Sequence, residues 1–152
     1  MRYLETWFAC KTVSEANRRD HWAVKAKRSA LQKRMGYAMT KSLLANDIPE
    51  FPCTIAIVRL GPRLLDDDNL RGALKAIRDG IAKALGKDDS PENGISWEYR
   101  QEKKKGKQEV GIMIEIEHQS IVAGAMAESS AVTRIAKEAL AAKQPQAGGE
   151  GK

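Results

Sequence analysis

The stretch CTIAIVRLGPRLLDDDNLRGALKAIRDGIAKALG, Cys53 to Gly86, places two periodicities end to end. Its first eight residues are apolar and rich in β-branched side chains, the pattern of a short buried strand. From Leu70 onward, Leu70, Leu74, Ile77, Ile81 and Leu85 recur at helical spacing and predict a helix laying one apolar stripe on a sheet. Gly86 is its natural stop. Between the two stand three consecutive aspartates, Asp66, Asp67 and Asp68.

Upstream, Tyr3 to Cys10 alternates loosely and carries Trp7 and Phe8, which suits a strand. The run from Ser14 to Ala45 reads as one long helix with a polar start. Val24, Leu31, Met35 and Ala38 form its expected apolar stripe, and Lys27, Arg34 and Lys41 a basic row. Pro49 and Pro52 close that segment. Downstream, GISWEYRQ puts Ile95, Trp97 and Tyr99 on one side, and QEVGIMIEIE does the same with Val110, Ile112, Ile114 and Ile116. EKKKGK between them predicts a charged hairpin tip. The order predicts a single compact α+β domain over residues 1–118, a small sheet packed by two main helices. Residues 119–152, rich in Ala, Ser and Gly, are expected to be a tail, helical at most near Val132 to Ala142.

With 152 residues and 42% hydrophobic composition, one core is expected. A net charge of +6 raises the expectation of a polyanionic partner such as nucleic acid. Cys10 and Cys53 form no CxxC pair or Cys/His cluster, so neither a disulfide framework nor a zinc site is indicated. No apolar run reaches the roughly 20 residues needed to span a bilayer, and the first residues lack the features of a secretory signal. A cytoplasmic protein without a membrane partner is expected.

Concentrating negative charge in a basic chain has two readings. One aspartate at a helix start caps backbone N–H groups and meets the macrodipole, but capping needs one carboxylate rather than three. If the approach is extended, Asp66 and Asp68 share a side and suit a common divalent cation, with Asp67 facing solvent. A helix N-terminus behind them would also favour a phosphate. A second acidic patch, Asp88 and Asp89 in GKDDSPENG, is by itself a turn composition.

The ordered combination RLGPRLLDDDNL, LKAIRDGI and GKDDSPENGI, about the central third of the chain, resembles the RusA family of Holliday-junction resolvases. The resemblance implies a RusA-like fold and a homodimeric, Mg²⁺-dependent endonuclease that cuts branched DNA such as a four-way junction. It carries the metal-binding carboxylates onto Asp66, Asp68 and Asp89, with Asp88 the weaker of its pair. The catalytic lysine falls on Lys75, aligned through its spacing to Asp79. One departure stands out: the family lysine usually follows the Asn by three residues, where this chain has Gly72. Arg71 and Lys75 both follow Asp68 on one helical face, so either is a candidate cation for a phosphate. Lys75 and Asp79 also suit a plain surface ion pair.

Candidate DNA contacts are Arg18, Arg19, Lys27, Arg34 and Lys41 on the first helix and Lys103, Lys104, Lys105 and Lys107 at the expected hairpin tip, each equally readable as a solvated charge. Trp22 reads either as a wedge at a branch point or as core. His21 and His118 are expected to be surface or structural. Two other functions fit the same residues: a non-catalytic nucleic-acid binder keeping the fold, and a metal-dependent enzyme acting on RNA or nucleotides.

Overall fold

The computed structural model describes residues 2–45, 49–88 and 90–116. In chain order they form β1 (Arg2–Ala9), α1 (Trp22–Leu44), β2 (Cys53–Gly61), α2 (Asp67–Ala84), a 3-10 turn (Pro91–Asn93), β3 (Ile95–Lys103) and β4 (Glu109–Ile116). The two helices pack on a four-stranded mixed sheet, the α+β arrangement expected. The anticipated tail and His118 lie outside the described residues.

The expected hairpin of β3 and β4 does not form. The sheet order is β1-β4-β2-β3, with β2 parallel to β3 and antiparallel to β4, so that Ile57 faces Tyr99 on one side and Ile112 on the other. Burial explains the arrangement: β2 is apolar almost throughout and hides nearly every residue, so both its edges need partners. The alternating β3 tolerates an edge position. The EKKKGK segment therefore crosses the end of β2, where Lys104 N donates to Gly61 O at 2.8 Å.

Because β1 and β2 are both antiparallel to β4, they are parallel to each other, and β3 joins them. Three strands thus end at one edge of the sheet. Since α1 and α2 each return from such a strand end, they run side by side in the same direction and begin at that edge. The α2 stripe is as expected: Leu70, Leu74, Ile77, Ile81 and Leu85 are buried against Phe8, Ile55, Ile57, Val110, Ile112 and Ile114, each worth about 1.5–3 kcal/mol of burial. Ile95, Trp97 and Tyr99 share one side as expected. Past α2, Gly86 takes φ +69°, with Gly86 N donating to Lys83 O and Lys87 N to Ala82 O.

The expectations for α1 fail in two ways. The helix starts at Trp22 rather than Ser14, because the charged residues before it find a side-chain partner instead of helical backbone. Arg28 donates to both oxygens of Glu15 at 2.8 and 3.1 Å and to Asp20 at 3.0 Å. His21 Nδ1 then caps the helix by accepting from Ala23 N. The buried face is also not Val24, Leu31, Met35 and Ala38: Val24 and Leu31 are 51% and 56% exposed, Ala38 is exposed and Met35 half-buried. Gln32, Gly36, Thr40 and Leu44 are buried instead. This face is small and polar because it meets another helix at backbone range. A Cβ on Gly36 would lie 2.5 Å from Ile77 O, and one on Gly80 2.2 Å from Lys33 O. Among the described residues no helix is long and apolar enough to cross a membrane.

Candidate active site

Three connections leave the strand-end edge: residues 10–21 after β1, 62–66 after β2 and 104–108 after β3. Polar side chains tie them together. Arg59, buried in β2, donates through Nε to Thr12 Oγ1 at 2.8 Å and through a terminal nitrogen to Arg63 O at 2.7 Å. Thr12 in turn bonds Gln108 Oε1 through both its N–H and its hydroxyl, each at 2.9 Å. Gln101 on β3 grips the backbone of Leu65, accepting from its N–H and donating to its carbonyl. Ser14 Oγ donates to Asn69 Oδ1, and Gln32 Nε2 to Lys11 O at 2.9 Å. Burial lowers the pKa of Arg59, and among the described residues no carboxylate lies within ion-pair distance of it. The residue before Asp66 and the residue after Asp68 are thus each anchored to another segment.

The three aspartates occupy different environments. Asp66 is extended, with φ −67° and ψ 167°, and caps α2: its carboxylate accepts from Asn69 N at 2.9 Å and Asn69 Nδ2 at 2.7 Å. Asp67 and Asp68 already belong to the first helical turn. The alternation that was to pair Asp66 with Asp68 across an extended approach therefore does not apply, because Asp67 and Asp68 are already helical. Asp67 pairs with Arg71 at 3.0 Å, and that guanidinium also lies 5.4 Å from the Tyr99 ring centre, leaning toward β3. Asp68 is exposed and has no hydrogen-bond or ion-pair partner among the described residues.

A carboxylate offers about four lone-pair positions, so Asp66 keeps acceptor capacity beyond its two capping bonds, and Asp68 keeps all of its own. Mg²⁺ takes one or two carboxylates together with water and phosphate oxygens, so either aspartate suits it by donor chemistry, while residues two apart at a helix start do not face each other. Among the described residues no three or more His, Cys, Asp or Glu side chains are gathered to hold a metal ion. The second acidic patch stands elsewhere. Asp88 follows the far end of α2, whose 18 residues rise about 27 Å. Beyond it, β3 begins opposite Cys53, the first residue of β2. Asp88 accepts from Ser90 N at 3.0 Å and from Asn93 Nδ2, a turn arrangement, and the Ser90 hydrogen bonds hold its carboxyl below the ordinary range. Asp89 itself lies outside the described residues.

The cations divide by position. Arg18 and Arg19 belong to the segment before α1 rather than to the helix, and Arg18 pairs with Asp20 at 2.9 Å. Lys103, Lys104, Lys105 and Lys107 are exposed where the chain crosses the end of β2, with Lys104 paired to Glu109. Both groups share the edge with the acidic loop. Lys27, Arg34 and Lys41 are exposed along α1, leading away from that edge. Lys75 Nζ lies 3.5 Å from Asp79, the expected i,i+4 pair. Trp22 is 75% exposed, which removes its core reading.

Sequence reading singled out none of Arg59, Gln101, Thr12 or Ser14. An arginine inside an otherwise apolar strand was the one available signal, since a buried charge demands partners. Neither a family model nor a curated protein sequence matches this chain.

Proposed function

We propose that the protein is a Mg²⁺-dependent endonuclease acting on branched DNA, in the manner that its resemblance to RusA resolvases implies. The observation supporting this most directly is the strand-end edge itself. An unpartnered Asp68 stands beside a capping Asp66 on an anchored loop, with basic segments on both flanks. Asp66 and Asp68 would hold the metal ion. Bound there, it would polarise a phosphodiester and lower the pKa of a water for hydrolysis. The N–H groups at the start of α2 favour the phosphate. Arg18 and Arg19 on one flank and Lys103, Lys104 and Lys105 on the other bind the neighbouring phosphates and set the strand's register.

Asp88 is held beyond the far end of α2 from Asp66 and Asp68, and the resemblance implies a two-copy assembly, in which the carboxylate carried onto Asp89 would come from the second copy. A homodimer is thus part of this reading. Two free, buried thiols, Cys10 and Cys53, suit the reducing cytoplasm.

Incubating a labelled four-way junction and a matched linear duplex with the protein, with and without Mg²⁺, tests the activity. Cleavage of the junction alone, and only with Mg²⁺, is expected. Mixing Asp68→Asn with Asp89→Asn chains, each inactive alone, is expected to restore part of that activity through mixed dimers. A second reading rests on the two hydrogen bonds that Asp66 spends on Asn69: the acidic loop as a helix cap within a nucleic-acid binder. Binding that weakens with salt, ignores Mg²⁺ and leads to no cleavage would favour it.

A further inference from the structure

Between the first halves of α1 and α2 runs a groove of about 270 Å³. Its walls follow the register set where the helices touch. Gly36 packs on Ile77, and Gly80 on Lys33 and Tyr37; toward the N-terminal ends of the helices from that contact, Lys25, Ser29 and Gln32 of α1 and Gly72, Lys75, Ala76 and Asp79 of α2 line the groove. The groove exists because Ser29, Gly72 and Ala76 are small. A Cβ on Gly72 would meet nothing within 4 Å.

Residue 72 is one helical turn beyond Asp68 on the same face of α2, and Lys25 lines the same groove. Lys75 stands two turns from Asp68, about 10 Å of helix rise. Arg71 is turned to Asp67 and Tyr99 on the other side. The groove adds a cation from α1, Lys25, to those on α2.

We infer that this groove is a phosphate-binding subsite beside the acidic loop, with Lys25 as its principal cation, Ser29 as a hydroxyl donor and Lys75 as the outer cation. This rests on the nucleic-acid reading above and extends it to residues off the acidic helix. Two carboxylates, Asp79 and Glu15, line the groove beside these cations, and both already have partners: Asp79 holds Lys75 at 3.5 Å. Glu15, the carboxylate closest to Lys25, is gripped at both oxygens by Arg28, while Lys25 Nζ stands 4.0 Å away, at the limit of an ion pair. Lys25 is 58% exposed and Lys75 65%. A phosphate oxygen can engage Lys25 without displacing a close hydrogen bond. It enters over Gly72, where no side chain stands in the way.

The test moves the charge. Lys25→Ala, Lys25→Arg, Lys75→Ala and the double variant Lys25→Ala/Gly72→Lys are compared with the parent protein on a fluorescent four-way junction. Affinity is followed by anisotropy over a salt series without divalent metal, cleavage by single turnover with Mg²⁺, and folding by thermal melting. Lys25→Ala is expected to melt like the parent, to lower the salt slope by about 0.9 for the one phosphate contact removed, and to slow cleavage by about 10². Lys25→Arg should keep most of the binding. Gly72→Lys should restore the slope and part of the rate in the Lys25→Ala background, which a merely structural role for Lys25 would not allow. Lys75→Ala should cost less than Lys25→Ala. An unchanged slope in Lys25→Ala, no rescue by Gly72→Lys, or a larger loss in Lys75→Ala each overturns the inference. If the parent binds the junction without cutting it, the endonuclease reading fails, and the salt slopes still decide the subsite.

Discussion

Asp66, Asp67 and Asp68 are adjacent and chemically identical, yet each has a different neighbour, and that difference sets what substitution should do. Asp66→Ala removes a cap with two bonds to Asn69 and is expected to cost about 1 kcal/mol of stability as well as cleavage. Asp67→Asn breaks an exposed pair with Arg71 and should leave melting and cleavage close to the parent, since such pairs contribute little. Asp68→Asn should leave melting nearly unchanged and abolish cleavage, because Asn keeps the size and loses the charge that holds a metal. Melting curves and single-turnover rates for the three variants check this, and loss of cleavage in Asp67→Asn would sink it. The two thiols give a separate pH prediction. Burial pushes Cys10 and Cys53 up to about 11 each. Thiolate is the reactive form, so native protein at pH 8 should resist a thiol reagent that labels both residues once urea is added. Rapid labelling of folded protein would contradict the burial.

At the scale of elements, the α1–α2 contact turns on two glycines. Replacing a helical glycine by alanine ordinarily stabilises by about 0.5–1 kcal/mol. At Gly36 and Gly80 the sign should reverse, because the new Cβ would strike Ile77 O and Lys33 O, backbone atoms that can yield only by moving a helix. Overpacking of this kind costs about 1–3 kcal/mol. Gly72→Ala, facing open space, should show the ordinary gain. Urea midpoints of the three variants compare them directly, and stabilisation by Gly36→Ala would disprove the close crossing. The grip of Gln101 on Leu65 predicts that Gln101→Ala loosens the acidic loop from β3. Faster hydrogen exchange of the Leu65 amide and slower cleavage should appear together, with the sheet amides unchanged. Unaltered exchange at Leu65 would show that the grip does not hold the loop.

For the whole molecule, topology decides which charges act together. Parallel β1, β2 and β3 bring their following connections to one edge, so positive charge from residues 18–19 and 103–107 collects around the acidic loop. The row Lys27, Arg34 and Lys41 runs the other way. Replacing Lys103, Lys104 and Lys105 together by Ser should flatten the salt dependence of junction binding by up to about three times 0.9, and more than replacing Lys27, Arg34 and Lys41 does. Equal effects would mean that the helix row contacts DNA as much as the edge does.

Local chemistry alone determined β2, α2 and the acidic junction between them. An apolar β-branched run, a 3.6-residue stripe and a capping aspartate all act within a few residues of one another, so their pattern survives in one dimension. Capping by one of the three aspartates was legible for the same reason, and the structure made it Asp66. Tertiary structure decided what depends on distant partners. β3 and β4 have patterns that fit a hairpin as well as the observed crossing, and the choice came from β2, which must be covered along both edges. The apolar residues of α1 misled because its inner face packs on helix backbone at Gly36 and Gly80, where size matters more than hydrophobicity. The supports of the acidic loop join residues 36 positions apart at Leu65 and Gln101 and 55 apart at Ser14 and Asn69. No spacing rule reaches that far, because the hydrogen bond exists only after the sheet has brought the two segments together. Lys25 was invisible for the same physical reason: its place in one groove with Gly72 is set by the packing of two helices, which the sequence of neither helix contains.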